Sequence, residues 1–295
     1  MLRYSHVIGR SVFAASILLL VGLILLGQAR AEAWPVDKPV MIGFDIRNSQ
    51  LEDTKQYLPF LDYLAKATGF SFSMRFTAKD ESIVDLLGQG VVQFAFVGAD
   101  TYLQAQQKYG VVAVVRGLNQ VDKAEYQAVI VVSPTSTISD LGELKGKRFA
   151  FGGKTSTQGR LIPLILLSEH GIGLDDLAGH VFTGSHRNCA QAVVRGEADA
   201  CGMQDTLGRE LADAGLVKII ATSRFFPSSG VVAAKNVPAD LLGRVKKALV
   251  DFQPNGVDKE GLYNWDKTEM PHGFTNSTDG DYEDLRNWSR RLGLL

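Results

Sequence analysis

Two cysteines, Cys189 and Cys201, are all the chain contains, and no Cys-x-x-Cys pair occurs among its 295 residues, which argues against a structural zinc site. His170, His180 and His186 are not spaced as ligands on one helix face. The Gly-x-Ser-x-Gly elbow of a serine hydrolase is absent, and Ser185 and His186, being neighbours in sequence, point apart rather than forming a dyad. Neither a Rossmann Gly-x-Gly-x-x-Gly nor a Walker loop is present. These absences lower an enzymatic reading, and no catalytic residue, metal or cofactor is expected. Charge of one sign is lacking too: 31 Lys and Arg stand against 32 Asp and Glu without clustering, which argues against nucleic acid and against an acidic membrane surface as partner.

The one long hydrophobic run lies at the start. Arg3 and Arg10 form a positive segment, residues 11–28 are uncharged and rich in Leu, Ile and Val, and Ala29-Arg30-Ala31 and Ala31-Glu32-Ala33 both fit a small-x-small cleavage site. Residues 1–31 are therefore expected to be a signal peptide for export to the periplasm. An uncleaved anchor is the alternative, because the run approaches spanning length. No cysteine stands at the cleavage point, so a lipid anchor is not expected. Cleavage removes Arg3, Arg10 and Arg30 and takes the formal charge from −1 to −4. About 260 residues remain, enough for two lobes.

Those residues alternate between strand and helix patterns. Residues 40–44 read as a strand; Leu58, Leu61, Leu64 and Ala65 share a helix face that Gly69 ends; Phe70, Phe72, Met74 and Phe76 alternate as a half-buried strand. A second series begins at Phe149 and runs to Ala221. Repeated β-α units imply a mostly parallel sheet covered by helices. The expected fold is α/β, two-lobed, with lobe I at 36–132 plus 229–295, lobe II at 133–228, and two crossings forming a hinge. The segments 90–101 and 196–206 echo one another, each ending a helix, forming a strand and opening the next helix with Asp-Thr, at Asp100-Thr101 and Asp205-Thr206. In open α/β sheets ligands collect at such strand ends.

The stretch Phe149 to Gly159 carries the strongest chemical signal. A buried strand, a Gly152-Gly153 turn and Ser156 as the N-cap of a helix stopped by Gly171 place unpartnered backbone N–H groups and the positive end of a helix dipole at one point. Ser156 and Thr157 add hydroxyls there and Gln158 an amide. Pro163 falls beyond the first turn, so a late helix start or a kink is expected.

Leu141 to Gly152, Ser156 to Gly159 with Pro163, Phe182 to His186, Gly196 to Asp199, Tyr57 to Leu64 and Gly98 to Tyr102 together resemble the periplasmic phosphate/phosphite/phosphonate-binding proteins of ABC importers. The resemblance covers most of the exported chain. It implies a monomer whose lobes close over a small oxyanion and deliver it to a membrane permease. It implies Tyr57, Tyr102, Ser156, Thr157 and His186 as ligand contacts, with Gln158 replacing a serine of the family and Asp205 facing a protonated oxygen or substituent. An ionised Asp only accepts, so it would reject a fully ionised anion. Residues 223–229 lack the carboxylates of aminophosphonate binders, which favours a small oxyanion.

Some relatives of this kind are sensors that signal to a membrane histidine kinase, including ones that hold arsenite through Cys. That is the alternative reading. For Cys189 and Cys201 three states stay open: a disulfide, two buried thiols, or a soft site for a thiophilic metalloid.

Overall fold

The computed structural model describes residues 33–35, 37–44, 49–78 and 81–295. The expected signal peptide, 1–31, lies outside them. Among the described residues no helix is long and apolar enough to cross a membrane.

Two sheets dominate. The first contains β1 (Val40–Phe44), β2 (Phe72–Phe76), β3 (Phe94–Val97), β4 (Val112–Gly117), β12 (Gly230–Ala233) and β13 (Phe274–Asn276), in the order β13-β4-β12-β3-β1-β2. The second contains β6 (Ala128–Val132), β7 (Arg148–Phe151), β8 (Gly179–Phe182), β9 (Ala200–Gln204) and β10 (Lys218–Thr222), in the order β10-β6-β9-β7-β8. Both sheets therefore repeat one plan: the second strand of the unit at one side, then the first, the third, a strand arriving from the other unit, and the fourth. The arriving strands β12 and β6 are antiparallel to both neighbours, so the sheets are mixed rather than mostly parallel as expected. A strand that enters from the other lobe runs against the β-α units it joins.

The register bears on one strand next to the expected boundary. Ala128–Val132, placed with the first lobe by the division at 132/133, pairs with β9 and β10 of the second sheet. Its run of five buried residues is what a central strand needs, covered on both faces. The crossing lies just before it, where β5 (Glu125–Tyr126) pairs antiparallel with β11 (Phe226–Pro227), the return crossing. A two-stranded hinge thus joins the lobes.

The helices are α1 (Gln50–Thr68), α2 (Ile83–Gly88), α3 (Ala99–Tyr109), α4 (Ile162–Glu169), α5 (His186–Val194), α6 (Asp205–Asp213), α7 (Ala239–Asp251) and α8 (Glu283–Arg291). In α1, capped by the Ser49 side chain and ended by Gly69 at φ +77°, the buried stripe is Tyr57, Phe60, Leu61 and Leu64, while Leu58 faces out. The expected helix from Ser156 begins as a π-helical turn, Thr157–Leu161, and becomes α-helical at α4 with Pro163 in its first turn, where the missing N–H costs nothing. The segment after Phe252 completes lobe I: β13 joins its sheet, and Trp265, Met270 and Phe274 enter the core of Tyr57, Phe60 and Phe96. Another core spans the lobes, joining Tyr102 and Leu103 of α3 to Leu161, Ile162 and Ile165, with Tyr126 and Phe226 of the hinge between them. The two lobes are in contact.

Candidate oxyanion site

The turn after β7 is held by its own backbone. Ser156 Oγ accepts from Gly159 N at 2.9 Å, and Gly152 N donates to Gly159 O at 2.8 Å. A Cβ on Gly159 would stand 2.9 Å from Ser156 Oγ and 3.0 Å from His186 Cε1, so the position is closed to a side chain. His186 is the first residue of α5, behind a Ser185 N-cap, and its Nδ1 accepts from Gln204 N at 3.3 Å. With Nδ1 accepting, the proton of the neutral ring lies on Nε2.

Across from this turn stands the N-terminus of α3. Its N-cap is Gly98, which has no side chain to cap with, and the role passes to the other lobe: Thr157 Oγ1 accepts from Asp100 N at 2.9 Å. A Cβ on Gly98 would lie 2.8 Å from that same oxygen. Thr101 Oγ1 donates to Thr155 O at 3.4 Å, and Arg160 reaches Asp100 Oδ2 at 3.5 Å while donating to Lys154 O at 2.7 Å. Asp100 is fully buried and its Oδ1 has no hydrogen-bond partner. Burial pushes its carboxyl above the ordinary value, against a hydrogen bond from Gln104 and the Arg160 charge.

Gln158 and Asp205 meet on the hinge side. Gln158 Nε2 donates to Gln127 O at 2.7 Å and to Asp205 Oδ1 at 3.3 Å. Burial raises the Asp205 carboxyl, with Arg209, one turn along α6, pulling it back.

The expected residues thus divide. Ser156, Thr157, Gln158, His186 and Asp205 gather where the second lobe meets α3 and the hinge. The two tyrosines are in the core of lobe I instead. Tyr57 packs 4.7 Å from Phe44 and 5.3 Å from Phe96 between ring centroids, and the Tyr102 hydroxyl donates to Asp279 Oδ1 at 2.6 Å beside Tyr282. A helical tyrosine read from a motif carries no information about which side of the helix it occupies. The N-terminus of α3 was anticipated through Asp100-Thr101, whereas the contact of Gln158 with the Gln127 carbonyl was not.

Cys189 and Cys201 form a disulfide between α5 and β9, with Cα atoms 5.7 Å apart and both side chains fully buried. Of the three states expected for this pair, the structure contains the disulfide. Among the described residues no cluster of His, Cys, Asp or Glu could hold a metal.

A family model described as "ABC transporter, phosphonate, periplasmic substrate-binding protein" matches residues 42–282, which is most of the chain. The chain belongs to this family. Among curated relatives of this phosphonate-binding family member, the probable ABC transporter phosphite binding protein PhnD1 of Prochlorococcus marinus is 30% identical over 161 residues, covering 52% of this chain and 48% of the relative. The match thus spans about half the length of that relative. The phosphate-import protein PhnD of Mycolicibacterium smegmatis is 25% identical over 260 residues, 78% of each chain. The solved structure of the Prochlorococcus marinus PhnD1 in complex with methylphosphonate superposes with a TM-score of 0.74 at 17% identity, covering 88% of this chain and 99% of that one. A binding-protein component of a phosphonate ABC transporter from Pseudomonas aeruginosa gives 0.73 at 18% identity, covering 87% of both. At these identities the structures establish the two-lobed fold.

Proposed function

We propose that the chain is exported through a cleaved signal peptide and works as a monomeric periplasmic receptor for a small phosphorus oxyanion. It closes over the anion and delivers it to the membrane permease of an ABC importer. Lobe I is formed by the segments on either side of residues 127–226, lobe II by those residues, and the β5–β11 pair is the hinge. The observation that carries the reading is the meeting of two helix N-termini from different lobes, with Thr157 Oγ1 2.9 Å from Asp100 N. Both ends offer backbone N–H groups and positive dipole ends, and a tetrahedral anion is the ligand that such a pair serves.

The roles follow from donor chemistry. The Ser156 and Thr157 hydroxyls and the imidazole Nε2–H donate to anion oxygens; Asp205, oriented by Gln158, accepts from a protonated oxygen. Tyr57 and Tyr102 support the cleft wall from within lobe I. Phosphite, phosphate and methylphosphonate, the ligands named for the relatives, share tetrahedral geometry and a monoanionic form that carries at least one hydroxyl. The carboxylate selects that form. Calorimetric titration of the dialysed protein, residues 32–295, against these three anions and sulfate tests the reading. One or more phosphorus anions should bind, sulfate should not, and Ser156→Ala or His186→Ala should weaken binding at least tenfold. Unchanged affinity in both variants would displace the site.

A further inference from the structure

Tyr126 lies on the hinge strand β5, opposite Phe226 of the return crossing, and is 8% exposed. Its hydroxyl oxygen is buried beside the Thr157 hydroxyl and the Ala99 N–H, without a well-formed hydrogen bond to either. The other buried tyrosine hydroxyls around it are engaged: Tyr102 donates to Asp279 at 2.6 Å, and Tyr282 lies 3.3 Å from Ser277 Oγ. A buried phenol whose proton has no acceptor costs the fold what a phenylalanine of the same shape would not.

The surroundings of that oxygen indicate its use. Beside that oxygen are the Thr157 hydroxyl and the Ala99 N–H, which favour the ionised phenol, and the Glu269 carboxylate and the Tyr282 phenol, which disfavour it. Ala99 is the first residue of α3, an 11-residue helix, and Thr157 is the residue that caps α3 from the opposite lobe. The Tyr126 hydroxyl thus lies beside the point where the two helix N-termini meet. Burial keeps the phenol protonated, so it is available as a neutral donor.

Resting on the reading of the site as a phosphorus-oxyanion receptor, we infer that Tyr126 is a further ligand-contact residue, whose O–H donates to an oxygen of the anion held at the N-terminus of α3. The contact comes from the hinge itself. Engaging the anion therefore fixes the crossing strand in the closed arrangement, and losing the contact should speed release more than it slows capture. It also adds a donor without adding charge, which suits a monoanion in a cleft that already contains the Asp100, Asp205 and Glu269 carboxylates.

The test compares wild type, Tyr126→Phe and protein carrying 3-fluorotyrosine at position 126, titrated with phosphite, phosphate and methylphosphonate. Tyr126→Phe should bind the preferred anion about tenfold more weakly, through a faster dissociation rate, while the melting temperature of the anion-free protein is unchanged or higher. The fluorinated phenol, a stronger donor, should bind more tightly than wild type, a response that a packing role would not produce. Equal affinity in all three proteins overturns the inference and leaves the receptor reading standing. Failure of wild type to bind any of the three anions overturns both. If Tyr126→Phe does not fold, the fluorotyrosine protein decides alone.

Discussion

Asp100 shows how one residue can be legible in sequence and still be misread. As the opening Asp of an Asp-Thr pair it looks like an ordinary N-cap, but the cap position is Gly98 and the carboxyl is carried into the interface between the lobes, fully buried. Burial raises its pKa in the folded state, so the folded protein resists the charged form. The penalty is absent below the ordinary value of 3.8, grows as pH rises through the folded value, and is complete above it. Asp100→Asn should therefore raise the melting temperature of the anion-free protein at pH 7.5 by a few degrees, at about 2–4 °C per kcal/mol. The gain should vanish at pH 3.5. A gain that persisted there would mean that it does not come from the buried charge, and a loss at pH 7.5 would mean that the ion pair with Arg160 outweighs desolvation. The close contacts at Gly159 predict that Gly159→Ala displaces Ser156 or His186 and lowers anion affinity at least tenfold, measured by calorimetry beside the parent.

At the scale of elements, the disulfide has a positional consequence. Cys189 is on the first turn of α5, just after His186, and Cys201 is on β9, which runs into Asp205. The bridge ties together the two elements whose ends present the histidine and the carboxylate. Removing both sulfurs as Cys189→Ala with Cys201→Ala should cost about 2–3 kcal/mol in urea unfolding, as expected for a closed loop of this size, and should weaken anion binding as well. Stability lost without any change in affinity would confine the bridge to a role in folding. Sequence alone could not choose among a disulfide, free thiols and a metalloid site, because sequence separation does not report the distance between a helix and a central strand. The π-helical opening at Thr157–Leu161 was half legible: Pro163 forbade a regular first turn at Ser156, but only packing against Gly152 and His186 decides how the chain adjusts.

For the whole molecule, the contact between α3 and Thr157 predicts an opening and closing motion with a measurable threshold. Thr157→Val keeps the volume and removes the acceptor of Asp100 N, a loss of about 1 kcal/mol for an N-cap. The anion-free variant should be more open than the anion-free parent, with a larger radius of gyration in small-angle scattering. Added anion should reduce the radius of the parent by more than it reduces that of the variant. Equal radii without ligand would show that the apolar contacts of Leu161, Ile162 and Ile165 with Tyr102 and Leu103 hold the lobes together by themselves.

What the sequence determined by itself was local and periodic. The alternation of strand and helix, the capped turn at Ser156, the Asp-Thr pairs at strand ends and the existence of two crossings follow from patterns a few residues long, while His186 was singled out only through the family resemblance. Strand order, the antiparallel entry of β6 and β12, and the membership of Ala128–Val132 in the second sheet were decided only by tertiary structure. A central strand is apolar on both faces and looks the same in whichever sheet it lies. The same limit explains Tyr57, Tyr102 and Tyr126. A tyrosine is equally at home in a core and in a ligand site, and what its hydroxyl meets is decided only after the lobes have come together: Asp279 for Tyr102, and for Tyr126 a place beside Thr157 and Ala99, on which the inferred anion contact rests.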